Sequence, residues 1–207
     1  MTLDTIVLVT TVSFLGMVSP GPDFFLVLKN SLSYNRKTAL LTCFGVITAI
    51  LIHMSYCVAG IAMLITATPL IYDLLRYAGA IYLFWLGIKA LLARNGGTTY
   101  ISQGVVRDQI SAKSAFLQGL FCNLLNPKAT LFFLAIFTQL LNAQSSFLDK
   151  CLVALIIWLL AVLWWPFVVF IFQTQTVQRR YFKIQFLIDK LLGVILIILG
   201  AKVALGF

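Results

Sequence analysis

The chain has 207 residues, 61% of them hydrophobic and 10% charged, with mean hydropathy +1.03 and a net charge of +9. A soluble domain carries roughly 25% charged residues, and the apolar residues here come in blocks too long for buried core helices, so a soluble globular protein is excluded. The fifteen Lys and Arg face six Asp and no Glu, but the basic residues lie mostly in short connections between apolar runs, where they set membrane orientation rather than bind nucleic acid.

Apolar runs of bilayer length predict an all-α polytopic membrane protein with six transmembrane helices, over about 4–29, 39–66, 70–93, 113–140, 148–173 and 184–205. They form one transmembrane domain over 1–207. The first charge is Asp4 and no basic region precedes it, so the first run is expected to remain as a helix and not to be cleaved as a signal peptide.

The first run is interrupted by Ser19-Pro20-Gly21-Pro22-Asp23. A proline inside a helix lacks its own N–H and releases the carbonyl four residues back. Pro20 would free the carbonyl of Gly16, and Pro22 that of Val18. In hydrocarbon such groups are tolerated only against protein or a wet cavity. Gly21 lets the chain turn and leaves room for close approach. A plain proline kink is the bland alternative, and Pro166 in the fifth run fits that description. Two prolines around a glycine, followed by an acid at membrane depth, point instead to a solute or ion pathway.

In the second run Gly45, Ala49 and His53 are spaced by four and share a helix face. Small residues at this spacing admit a neighbouring helix, so His53, the one histidine, is expected at an interface or cavity. It is either a proton relay or a neutral imidazole bonded to the next helix. The third run leads into residues 94–112, rich in Gly, Asn, Thr and Ser. That stretch reads as a linker between half-repeats of about 1–93 and 113–207.

The fourth run is interrupted by Asn126-Pro127-Lys128, and Pro127 would free the carbonyl of Asn123. The Asn123 and Asn126 amides can replace lost backbone partners or bind a solute carboxylate. Gln118 and Ser114 lie earlier on the same run. The fifth run carries Trp158, Trp164 and Trp165 without forming a clear interfacial belt. In the sixth, Asp189 and Lys190 can snorkel to the boundary or pair with each other. Cys43, Cys57, Cys122 and Cys151 have no metal-like spacing. No catalytic residue, metal site or cofactor is expected.

The charges of the connections alternate. Lys29, Arg36 and Lys37 mark the first; Arg94, Arg107 and Lys113, with Asp108, the third; Arg179, Arg180 and Lys183 the fifth. The second (Asp73, Arg76) and fourth (Asp149, Lys150) are balanced. The positive-inside rule then puts both termini outside. Three helices per half is an odd number, so the second half enters the membrane with opposite sense. Matching interruptions in inverted halves point to a transport site near the midplane. There Asp23 and Lys128 can pair, and a zwitterionic solute can replace each partner for the other. Asp23 can also carry a proton. A structural ion pair locking the halves remains the alternative.

The motif Ser19-Pro20-Gly21-Pro22-Asp23-Phe24-Phe25 resembles the signature of the lysine-exporter superfamily, in particular its threonine and homoserine efflux branch. Ala78-Gly79-Ala80 with Tyr82-Leu83 and Leu86-Gly87 is similar to the third-helix motif of that family. Asn123 and Asn126-Pro127-Lys128 followed by Phe132-Phe133 resembles the fourth, and Gly193 and Gly200 fit the last. The resemblance covers nearly the whole chain. It implies a bacterial inner-membrane exporter of amino acids or related metabolites, proton-coupled, with a pathway through Pro20, Gly21, Pro22, Asp23, Asn126, Pro127 and Lys128. Three positions depart from the family pattern: Gly45 and Ala49 stand for a glycine pair, Asn35 for a glycine, and Thr138-Gln139-Leu140 for Pro-Gln-Phe.

The reading is therefore an exporter of small neutral amino acids by proton antiport. Its site residues are Ser19, Pro20, Gly21, Pro22, Asp23, His53, Asn123, Asn126, Pro127 and Lys128. Its partners are a small zwitterionic solute, protons and the lipid bilayer, and a homo-oligomer is compatible with it. The alternatives are a membrane protein without transport activity and a thiol–disulfide electron carrier using Cys57 and Cys122.

Overall fold

The computed structural model describes residues 1–19, 21–67, 69–92, 110–140, 145–172 and 174–204. The linker region up to residue 109, and Pro20, lie outside them. The described residues form eight α-helices and no strand: α1 Leu3–Val18, α2 Pro22–Ser33, α3 Arg36–Ala67, α4 Pro69–Leu92, α5 Ala112–Leu124, α6 Pro127–Leu140, α7 Phe147–Phe172 and α8 Gln175–Ala204.

Two of the six expected segments are not single helices. The first is α1 and α2, bent by 57°, and the fourth is α5 and α6, bent by 53°. Each bent pair, taken together, is long and apolar enough to cross a bilayer, as α3 and α7 are individually. At 26 residues, α7 is about 39 Å long against a hydrocarbon core of about 30 Å. The result is a multi-pass membrane protein.

The ends of the helices follow local chemistry more than hydropathy. Thr2 accepts the N–H of Thr5 at 3.3 Å and caps α1. Asn35, where the family pattern has glycine, accepts the N–H of Thr38 at 2.9 Å and so caps α3. Ser111 caps α5 through the N–H of Ser114 at 3.1 Å. Ser146 and Asp149 form a reciprocal capping box on α7, at 3.1 and 3.2 Å. Asp149 also receives the N-terminal ammonium of Met1 at 2.8 Å, joining the start of α1 to that of α7.

The sixth helix begins earlier than expected, at Gln175 and not near 184. Arg179, Arg180 and Lys183 therefore lie on α8 and not in a loop. Gln, Arg and Lys are good helix formers, and apolar length measures bilayer thickness, not helix length. The Lys190 ammonium donates to the carbonyl of Leu91 in the last turn of α4, where a cation complements the helix dipole; the Asp189 side chain lies outside the described residues.

Glycines set the closest helix crossings. A Cβ on Gly87 of α4 would stand 2.8 Å from the carbonyl oxygen of Gly193 in α8, and a Cβ on Gly193 would stand 2.8 Å from that of Gly87. Gly45 of α3 lies against the backbone of Phe116 and Leu120 in α5, and Gly119 of α5 lies against Thr42 and Val46 of α3. The neighbour admitted by the Gly45–Ala49–His53 face is thus α5. Buried polar residues (Ser13, Asn30, Thr42, His53, Asn123, Asn126) lie inside, while large apolar ones such as Ile81, Leu163 and Ile198 face out. The buried polar residues sit within a mainly apolar core, and the apolar exterior suits a lipid surround.

Candidate functional site

The two helix breaks meet. Residues from the α1/α2 junction (Ser19, Gly21, Asp23) and from the α5/α6 junction (Asn123, Asn126, Lys128) line one cavity of about 50 Å³. Pro22 and Pro127 are not buried inside continuous helices, as a kink would require. Each is the first residue of a new helix, α2 and α6, where a missing N–H is harmless and φ is already helical.

Gly21 precedes α2 with φ −170° and ψ −179°, an extended conformation open to any residue. The freedom to turn that the sequence suggested is therefore not what the position uses. Close approach is: a Cβ here would stand 3.3 Å from the Lys128 ammonium.

Asp23 is the second residue of α2, where an acid is favoured by the helix dipole. Its Oδ2 accepts from the Asn123 amide at 3.0 Å and from the Asn126 amide at 2.9 Å. A carboxylate accepts and does not donate, so these contacts orient both amides. Asn126 uses its other end as a cap: its Oδ1 accepts the backbone N–H of Lys128 at 3.0 Å. The Lys128 ammonium in turn donates to the Ser19 hydroxyl at 3.4 Å. Each break thus sends its charged residue to polar side chains of the opposite break.

The carbonyl of Asn123, freed by Pro127, accepts the N–H of Asn126 at 3.0 Å. His53 Nε2 also meets it, at 3.3 Å. A carbonyl only accepts, so Nε2 carries the proton. The other ring nitrogen, Nδ1, pairs with the hydroxyl of Tyr56. His53 is buried and rests against the Phe133 ring at 5.6 Å. The imidazole is thus bonded to the next helix and gives the freed carbonyl of α5 a second partner beside the Asn126 N–H.

The site residues brought together are therefore Ser19, Gly21, Asp23, Asn123, Asn126 and Lys128 around the cavity, with His53 behind Asn123. Pro22 and Pro127 stand at the helix starts. Sequence reasoning missed the apolar wall made by Met17, Phe24, Ile50, Phe132, Phe133 and Trp165. Tyr56, one helical turn from His53, was legible by spacing. It also missed Asn30, which donates to Thr42 at 2.9 Å and to Gln118 at 3.2 Å beneath the Gly45–Gly119 crossing.

The sequence matches the LysE type translocator family over residues 14–206. The chain belongs to that family. It is a membrane transporter and not an enzyme. This translocator is 30% identical over 196 residues to the uncharacterized membrane protein YrhP of Bacillus subtilis (strain 168), with 92% of this chain and 93% of that protein covered. It is 33% identical over 192 residues to a leucine efflux protein of Klebsiella pneumoniae, covering 89% and 87%. A leucine efflux protein of Salmonella typhimurium is 37% identical over 130 residues, covering 61% and 58%. No solved structure matches it.

Proposed function

We propose that this translocator exports neutral amino acids across the bacterial inner membrane in exchange for protons. The observation that carries the reading is the joint cavity of the two helix breaks, with Asp23 and Lys128 both in its wall. Two halves of opposite sense, each with a broken first helix, deliver these two charges. Loop charge supports termini on the periplasmic side.

A zwitterion suits the site. Its ammonium replaces Lys128 in the field of Asp23, and its carboxylate takes the Lys128 ammonium from Ser19. The α2 and α6 N-termini both face the junction and add positive potential favouring a carboxylate. The walls are apolar and hold no second acid, which disfavours lysine or arginine. They suit an aliphatic side chain, in keeping with relatives named for leucine efflux, more than the threonine-like solute of the branch that the motifs resemble. Asp23 is the proton carrier: it is the acid that a solute ammonium would displace from its proton.

The cavity of about 50 Å³ is well below the roughly 150 Å³ of a cavity that holds benzene. An amino acid therefore enters when α2 or α6 moves, and alternating access follows from rocking of the halves about the junction.

Everted membrane vesicles with an imposed acid interior test the reading. They should accumulate leucine, or another neutral amino acid from a panel that includes threonine and homoserine. Vesicles that accumulate none of them while the protein is present and folded would refute it.

A further inference from the structure

Three residues that line the cavity each carry a buried side-chain atom without a hydrogen-bond partner among the described residues: Asp23 (Oδ1), Asn123 (Oδ1) and Trp165 (Nε1). Two of these atoms are acceptors and one is a donor. The acceptors suit an ammonium. The donor belongs to a side chain that is 3% exposed, and a buried indole N–H normally finds a partner.

The Nε1 atoms of Trp158 and Trp164 on α7 lack a partner in the same way, so what sets Trp165 apart is its place: it lines the cavity, and the half-buried Trp158 and Trp164 do not. The backbone at Trp165 is tied to α3, since its carbonyl accepts the Cys43 thiol at 3.4 Å. A fixed backbone, a buried ring in the cavity wall and an unpaired N–H together describe a preorganised donor.

We propose that the Trp165 indole N–H binds the carboxylate of the transported amino acid, beside the Lys128 ammonium. This deepens the amino-acid reading above and rests on it. Two donors of different kind then hold the carboxylate: Lys128 supplies charge and Trp165 supplies direction. The solute ammonium faces Asp23 Oδ1 and Asn123 Oδ1 on the other side. Specificity for free amino acids over their alcohols or amides follows, because a neutral headgroup leaves the Trp165 donor and Lys128 poorly matched.

The test uses the full-length protein in proteoliposomes, with leucine as substrate and leucinol, which keeps the ammonium and side chain but lacks the carboxylate, as competitor. Trp165→Phe should raise the KM for leucine about tenfold with the maximal rate within about twofold. Inhibition by leucinol should not change. Replacing the Trp165 indole with benzothiophene keeps the bicyclic shape, removes the N–H, and should give the same split even if Trp165→Phe folds poorly. A wild-type KM in these variants overturns the assignment. Equal weakening of leucine and leucinol also overturns it, making Trp165 a packing residue. If the wild-type protein transports no amino acid, the functional reading fails and this inference with it.

Discussion

Asn126 holds Asp23 with one end of its amide and caps α6 with the other, at 2.9 and 3.0 Å. One side chain thereby joins the acid of the first break to the start of the helix that follows the second. The two breaks are one structure, in which an error at either propagates to both.

That dual role makes Asn126 separable by substitution. Asn126→Ala should lose the cap, at about 1 kcal/mol, and one donor to a buried carboxylate, at about 1–3 kcal/mol. Asn126→Ser keeps the cap and loses the reach to Asp23. Thermal unfolding in detergent should rank Ala below Ser below wild type, while both variants lose transport.

Asp23→Asn preserves the shape of the site and an acceptor for both amides, but it cannot carry a proton. Proton-driven efflux should be lost, with thermal stability close to wild type. Efflux at the wild-type rate in vesicles with an acid interior would remove Asp23 from the coupling role.

The charge swap Asp23→Lys with Lys128→Asp asks whether the two residues chiefly lock the halves. Asn123, Asn126 and Ser19 are oriented for an acid on α2 and a base on α6, so the swap should not restore transport. Recovery of expression and thermal stability beyond either single variant, still without transport, would mark a structural pair.

His53 repairs the freed carbonyl of Asn123, so its role should survive a neutral donor. His53→Gln keeps a side-chain N–H donor for that carbonyl and should keep at least about half of the transport rate with an unchanged pH profile, because in this reading the imidazole serves as a hydrogen-bond donor and not through its titration. His53→Ala leaves that carbonyl with the Asn126 N–H as its partner and should cost about 0.5–1.5 kcal/mol for the lost bond. A shifted pH profile in His53→Gln would revive the proton-relay reading.

The Gly45–Gly119 crossing has no space for a side chain on either helix. Gly119→Val should destabilise the protein by roughly 1–3 kcal/mol through overpacking, read as a lower melting temperature in detergent. An unchanged melting temperature would mean that α3 and α5 are not held at this distance in the membrane.

The sequence by itself determined that this is a multi-pass helical membrane protein, and where its costly residues lie. Apolar length and loop charge are local properties, and so is the cost of Asp23 or Lys128 in hydrocarbon. Pro127 also foretold the freed carbonyl of Asn123, because a missing N–H acts at a fixed spacing. What tertiary structure decided was who meets whom. Nothing in the spacing of Asp23 and Asn126 shows that their side chains touch, since the contact spans about one hundred residues and depends on the 57° and 53° bends. The same holds for Trp165, which the sequence presented as one of three tryptophans on a greasy helix. Its place in the cavity wall comes from the packing of α7 on α3, which periodicity along one helix does not encode.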